Sequence, residues 1–75
     1  MPLVQITGVG NYLSLEQKQD IIRKVTDAVV SVEGEGLRSV TWVTIQDVQP
    51  GAWGVGGQPV TDDDLRAMAA AGAAA

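Results

Sequence analysis

Two hydrophobic periods alternate along this chain, and the switches between them mark its elements. Residues 2–7 repeat with period two: Val4 and Ile6 share one side, and Leu3, Gln5 and Thr7 share the other, which predicts a strand. Residues 8–13 hold two glycines and an Asn and read as a loop. From there the period lengthens. Ile21, Ile22, Val25, Ala28, Val29 and Val32 recur at helical spacing, with Asp20, Arg23, Lys24, Asp27 and Ser31 on the opposite face. Ser14 with Gln17 three residues on has capping-box spacing, so a helix is expected from Ser14 to Glu33, stopped by Gly34 and Gly36. Residues 38–48 return to period two, Thr41, Val43 and Ile45 alternating with Val40, Trp42 and Thr44, and predict a second strand that ends at Gln49-Pro50-Gly51. A glycine-rich bend over 52–57 contains Trp53, with short extended pieces near Trp53 and Gln58 expected to form a small hairpin. Thr61 and Asp64 repeat the capping spacing and start a short helix to about Met68; residues 70–75 are an Ala-rich, low-complexity tail.

Strand, long helix, strand make one β-α-β unit, whose crossover joins parallel strands with right-handed sense. The expected fold is α+β: one domain over residues 1–75, a parallel two-stranded sheet with its helix, then a short C-terminal hairpin and a short terminal helix. One helix covers one face of the sheet. The other face keeps Leu3, Val40 and Trp42, and two strands alone are rarely stable in water. A chain of 75 residues buries little surface, and without cysteine no disulfide compensates. The pattern therefore predicts assembly into an oligomer.

Five basic and nine acidic residues give a net charge of −4, which argues against a nucleic-acid partner. No apolar run approaches the roughly 20 residues that span a bilayer, and no signal peptide is visible, so a cytoplasmic location without a membrane partner is expected. A metal site is not expected. His and Cys are absent, three adjacent carboxylates at 62–64 cannot all face one ion, and capping explains them better. The bend at 54–57 lacks the Lys-Ser/Thr of a phosphate loop. Without His or Cys, the base nearest neutrality is a chain-terminal amine, which ordinarily titrates at about 7.7–8.0. Met1 precedes Pro2, and removal of Met1 would expose a secondary amine at Pro2. Burial beside a cation lowers such an amine's pKa and leaves it a free base at neutral pH. With Met1 retained, the Pro2 nitrogen is a tertiary amide and no base.

The Met-Pro start, the strand, Glu16-Gln17-Lys18 at the helix start, Val25-Thr26-Asp27-Ala28-Val29 along it, the second strand and then Trp53-Gly54-Val55-Gly56-Gly57 resemble the 4-oxalocrotonate tautomerase family over about residues 2–68. The resemblance implies β-α-β subunits assembled as hexamers or related oligomers. It also implies keto–enol isomerisation of a small 2-oxo or enol carboxylic acid without any cofactor. An N-terminal proline moves the proton. That proline falls on Pro2, and the aromatic residue before the glycine bend falls on Trp53. Members of the family also carry an Arg in the loop before the helix and another in the second strand. Here the loop reads Gly10-Asn11-Tyr12-Leu13 and the strand Ser39-Val40-Thr41-Trp42, with Arg38 just upstream; Thr41 and Trp42 both remain open for the second position.

The candidate site is therefore Pro2 as catalytic base, with Arg38, Trp53, Tyr12, Thr41 and Trp42 toward the substrate. Arg38 would steady a carboxylate, Trp53 would wall and dry the pocket, and the Tyr12 hydroxyl would donate to an oxyanion. Thr7 is a lesser candidate. The competing reading makes Trp42 and Trp53 core or interface, Tyr12 a surface residue, and Arg23, Lys24 and Arg38 solvated charges, with Arg66 in a local salt bridge. Three alternatives accompany the tautomerase expectation. They are a lyase on the same fold (dehalogenase, hydratase or decarboxylase), a non-catalytic oligomeric binder that lacks the family's arginines, and a hetero-oligomer whose other subunit brings the cations.

Overall fold

The computed structural model describes residues 1–74. Along the chain it has strand β1 (Leu3–Val9), helix α1 (Leu15–Glu33), a 3₁₀ helix (Glu35–Val40), strands β2 (Trp42–Val48), β3 (Trp53–Val55) and β4 (Gln58–Val60), and helix α2 (Asp62–Ala74). β1 pairs with β2, and β3 pairs with β4. The β1–β2 sheet is parallel. The Trp42 N–H donates to the Pro2 carbonyl at 2.9 Å, and the Gly10 N–H donates to the Val48 carbonyl at 2.6 Å. Both bonds set one register, Pro2 opposite Thr41 and Gly10 opposite Gln49, and facing residues share a side of the sheet.

Packing divides the chain into two compact units. One comprises Met1–Ile6 and Ser14–Gln46; the other comprises Thr7–Leu13 and the chain from Asp47 onward.

In the first unit α1 begins at the expected cap. The Gln17 N–H donates to Ser14 Oγ at 3.1 Å, and the Ser14 N–H donates to Gln17 Oε1 at 2.9 Å, so two otherwise orphaned amides are satisfied reciprocally. At the far end the Gly34 N–H donates to the Val30 carbonyl and closes the helix. The stripe Ile21, Ile22, Val25 and Val29 is half-buried and Val30 is buried. On the sheet, Val4, Ile6, Val43 and Ile45 are half-buried and take the side that a crossover helix covers, while Leu3 and Trp42 on the other side are 54% and 61% exposed. The open sheet face is as the alternation predicts.

The second strand begins later than its alternation suggests. Residues 38–40 lie in the 3₁₀ helix, so Val40 does not belong to the sheet face. Local hydrogen bonds outcompete the ladder there: Arg38 reaches Glu35 one turn back, and Thr41 Oγ1 donates to the Leu37 carbonyl at 2.9 Å.

In the second unit β3 and β4 pair antiparallel, with Val55 opposite Gln58, so the loop is Gly56-Gly57 alone. Both glycines have positive φ, 58° and 81°, as a type I′ hairpin turn requires. Gly10 answers a different need. A Cβ there would lie 3.2 Å from the Val48 carbonyl oxygen and 3.5 Å from Pro50 Cδ. Helix α2 opens with a second reciprocal cap, the Thr61 N–H to Asp64 Oδ2 at 2.9 Å and the Asp64 N–H to Thr61 Oγ1 at 3.3 Å. It does not stop near Met68 but continues to Ala74, because alanine is the strongest helix former and no proline intervenes. Among the described residues only Val9 and Val30 are buried hydrophobics, and no helix is long and apolar enough to cross a membrane.

Candidate functional site

Pro2 is half-buried at the entry to β1. Proline cannot donate to a ladder, so it fits at a strand start, where its carbonyl still accepts from Trp42. That bond brings Pro2, Thr41 and Trp42 to the same end of the parallel sheet. Thr41 has committed its hydroxyl to Leu37, so its proton is not free for a ligand in this conformation. Trp42 presents an exposed ring on the uncovered sheet face.

Arg38 lies on the 3₁₀ helix that leads into this end. Its Nε donates to Glu35 Oε1 at 2.5 Å and its Nη1 to Asp27 Oδ1 at 2.7 Å. The guanidinium thus ties α1 to the 3₁₀ helix. Glu35 first and Asp27 second raise the guanidinium's pKa above its ordinary value, and the Arg38 hydrogen bond holds the Glu35 carboxyl below its own. A guanidinium already matched by two carboxylates has little attraction left for a third. Arg23 and Lys24 are likewise engaged, both with Asp20, whose carboxyl is held low mainly by the Lys24 hydrogen bond.

Tyr12 and Trp53 belong to the second unit. Tyr12 is half-buried in the loop after β1. Trp53 opens the hairpin and lines a hollow of about 330 Å³. The other walls are the end of β1 from Thr7 to Val9, Val55 and Val60 of the hairpin, and Leu65 and Met68 of α2. No charged side chain lines it, and Thr7 supplies its one polar side chain. Sequence reasoning weighed Thr7 and Trp53 but passed over Leu65 and Met68. Their three-residue spacing just after a helix cap was the available signal. A larger depression, about 690 Å³, follows Ser14, Glu16, Gln17, Asp20 and Arg23. All five sit on α1 or its cap, so this is the open surface of one helix rather than an enclosing site.

Helix α2 is seated by Arg66, whose Nη1 meets Asp62 at 2.6 Å and Asp63 at 3.0 Å while Nη2 donates to the Asn11 carbonyl at 2.6 Å. The hydrogen bond from Arg66 lowers the Asp62 pKa. This is the local salt bridge expected of Arg66, extended by a backbone contact. The three aspartates are divided between capping and Arg66, and no group of three or more His, Cys, Asp or Glu among the described residues could hold a metal ion.

The profile of the tautomerase enzyme family matches residues 2–63. A protein of Dickeya dadantii named as a probable tautomerase is 36% identical over 62 residues, spanning 83% of this chain and 91% of its own. Among solved structures, a 4-oxalocrotonate tautomerase isozyme from Methylibium petroleiphilum superposes with a TM-score of 0.69 at 34% identity, covering 85% of this chain and 97% of its own. DmpI of Helicobacter pylori superposes with a TM-score of 0.68 at 31% identity, covering 79% and 95%. The parallel β-α-β unit, the hairpin after it and these likenesses agree: the chain belongs to the 4-oxalocrotonate tautomerase family of the tautomerase superfamily, and is a tautomerase-type isomerase.

Proposed function

We propose that the protein is a cofactor-independent keto–enol tautomerase acting on a small 2-oxo or enol carboxylic acid, with the Pro2 nitrogen as general base once Met1 is removed. The observation that carries this reading is the Pro2–Trp42 bond. It holds Pro2 at the head of the sheet through its carbonyl, which leaves the nitrogen uninvolved in the ladder. In the ketone-to-enol direction, Pro2 N takes a proton from the carbon next to the carbonyl. The C–H electron pair becomes the C=C bond, and the carbonyl π pair moves to oxygen. The prolinium then returns the proton to that oxygen, and the base is regenerated. A pocket that excludes water keeps the amine unprotonated, because desolvation disfavours the ammonium form.

Assembly belongs to the same reading. A protomer with two buried hydrophobics among its described residues and with Leu3 and Trp42 exposed on an uncovered sheet face is expected to form a homo-oligomer, a hexamer by family likeness. Arg38 would have to exchange a partner to steady a substrate carboxylate, or a neighbouring copy would supply the cation. A second reading, an oligomeric small-ligand binder without catalysis, is favoured by that pairing of Arg38 with Glu35 and Asp27.

Intact-mass measurement followed by kinetics separates the two. Loss of Met1, together with ketonisation of phenylenolpyruvate or 2-hydroxymuconate that collapses in Pro2→Ala, is the result expected. Equal rates with and without Pro2 remove Pro2 from the mechanism, and retained Met1 without turnover leaves the binder.

A further inference from the structure

We propose that Arg38 and Thr41 are positioning residues for Pro2. They hold residues 35–40 in a 3₁₀ helix, and this keeps the Val40 carbonyl out of the place in the sheet where it would bond the Pro2 nitrogen. Its bearing on catalysis rests on the tautomerase reading above; the placement of the Val40 carbonyl does not.

The sheet register carries the first step. The Trp42 N–H donates to the Pro2 carbonyl, and the two strands are parallel. In a parallel ladder a bonding residue donates to one partner residue and accepts from the residue two positions further on, and the pattern repeats at every second residue. Trp42 therefore spans Pro2 and Val4. One repeat upstream, Val40 would accept from the Pro2 nitrogen. But β2 starts at Trp42 and Val40 ends the 3₁₀ helix, so the ladder stops one bond short of that nitrogen.

Local sequence alone does not favour stopping there. Residues 38–40 alternate in phase with β2. Runs of 3₁₀ helix beyond three or four residues are uncommon, yet this one has six. Two ties hold it. The Arg38 guanidinium grips Glu35 within the run through Nε and Nη2, and Asp27 on α1 through Nη1. Thr41 is secured twice at the exit, its N–H donating to the Arg38 carbonyl at 3.3 Å and its hydroxyl to the Leu37 carbonyl at 2.9 Å. Local bonds of this kind compete directly with a ladder. All of these residues, with Pro2, belong to the first unit.

For a Pro2 freed of Met1 the consequence is electrostatic. A carbonyl that accepts from the ammonium form stabilises it, so extended residues 38–40 would raise the amine's pKa and occupy the nitrogen. The 3₁₀ helix withholds that acceptor. The charged residues toward this end are Asp27 and Glu33 in the last turns of α1, and Glu35 and Arg38 on the 3₁₀ helix. β1 has none, β2 has none before Asp47, and the other charges of α1, Glu16 to Lys24, lie in its first half. Arg38 engages both Asp27 and Glu35.

Nitrogen NMR of isotope-labelled proline, in protein freed of Met1 by methionine aminopeptidase, reads the Pro2 nitrogen directly. Pro50 and Pro59 remain amides, so Pro2 alone titrates. Thr41→Val removes the hydroxyl without changing charge. It should raise the Pro2 midpoint by about one pH unit, the scale of one hydrogen bond to a charged group, and raise the acid limb of kcat/KM with it. Thr41→Ser keeps the hydroxyl and should titrate as the wild type does. The Trp42 amide bond is common to both arrangements, so its exchange protection should survive in each variant. Asp27→Asn combined with Glu35→Gln unhitches Arg38 and should also raise the midpoint, although losing two negative charges would by itself lower it. Several results overturn the proposal: an unchanged midpoint in Thr41→Val, an equal rise in Thr41→Ser, or an unchanged or lowered midpoint in the double variant. So does lost Trp42 protection in Thr41→Val, since the threonine would then be holding the strand itself. Midpoints that move as expected in a protein whose Pro2→Ala variant turns over normally would keep the positioning and discard the proposed chemistry, so the two failures are distinguishable.

Discussion

Helix α1 carries a stripe of isoleucines and valines, half-buried from Ile21 to Val29 with Val30 buried and Val32 exposed at the end, and its opposite face is laced with ion pairs to Asp20 and Asp27. Helix α2 is largely alanine, with one half-buried aliphatic residue, Leu65, and Met68 exposed one turn on. Both begin with reciprocal caps, so the caps do not account for the difference. The first helix is held by burial against its sheet. The second relies on propensity, a cap and one arginine bonded to the loop carbonyl of Asn11. The surfaces around them follow suit. In the first unit Arg38, on the 3₁₀ helix that leads into the Pro2 end of the sheet, is matched by two carboxylates; in the second no charged side chain lines the hollow beside Trp53. With Pro2 as the proposed base, the first region holds the chemistry, and the hollow of the second offers an apolar wall.

The sharpest way to break that division is Pro2→Ala. It should lower kcat by roughly 10²–10⁴-fold, the usual contribution of a positioned acid–base group, while the melting temperature is retained. Trp53→Ala comes next. It should raise KM for an aryl substrate roughly tenfold with a smaller change in kcat, since it removes binding area rather than the base. Equal losses of kcat in both variants would mean that the two regions do not divide the work.

Gly56→Val probes mechanical independence. A β-branched residue forced to the φ of 58° found at this turn should destabilise the hairpin by about 1–2 kcal/mol. Amide exchange should show lost protection in β3 and β4 with α1 unchanged. A matching loss in α1 would show the units opening as one.

The smallest effect expected is on pH. Asp20, Glu35 and Asp62 have folded pKa values below their ordinary 3.8, 4.5 and 3.8. Their pairs therefore contribute in full above those values, and the contribution disappears as pH falls through the lower folded ones. Because the pairs are exposed the loss is modest, and added salt should mimic it. Thermal melts from about pH 5 downward check the sign; stability that rises on acidification would contradict it.

Much of this was legible before any coordinates, for reasons that differ by residue. Ser14 with Gln17 and Thr61 with Asp64 are local devices, complete within four residues, so the caps could be read directly. The Gly56-Gly57 turn is similar, since few other residues accept two consecutive positive φ values. The start of β2 was misread because alternation at residues 38–40 is also compatible with a 3₁₀ helix, and hydrogen bonds from Arg38 and Thr41 chose between them. The end of α2 was set too early because an alanine run carries no periodicity to read.

The amino-acid order by itself determined the β-α-β unit, its caps, its hairpin turn and the nomination of Pro2, because each depends on neighbours a few residues away or on the chemistry of one residue. Only the tertiary structure decided that Arg38 is matched by Asp27, eleven positions back along the chain, and that Arg66 reaches Asn11. It also decided that Leu65 and Met68 join Thr7 and Trp53 around one apolar hollow. These are meetings between residues distant in sequence, and the chain must close on itself before their distances, and hence their energies, have values.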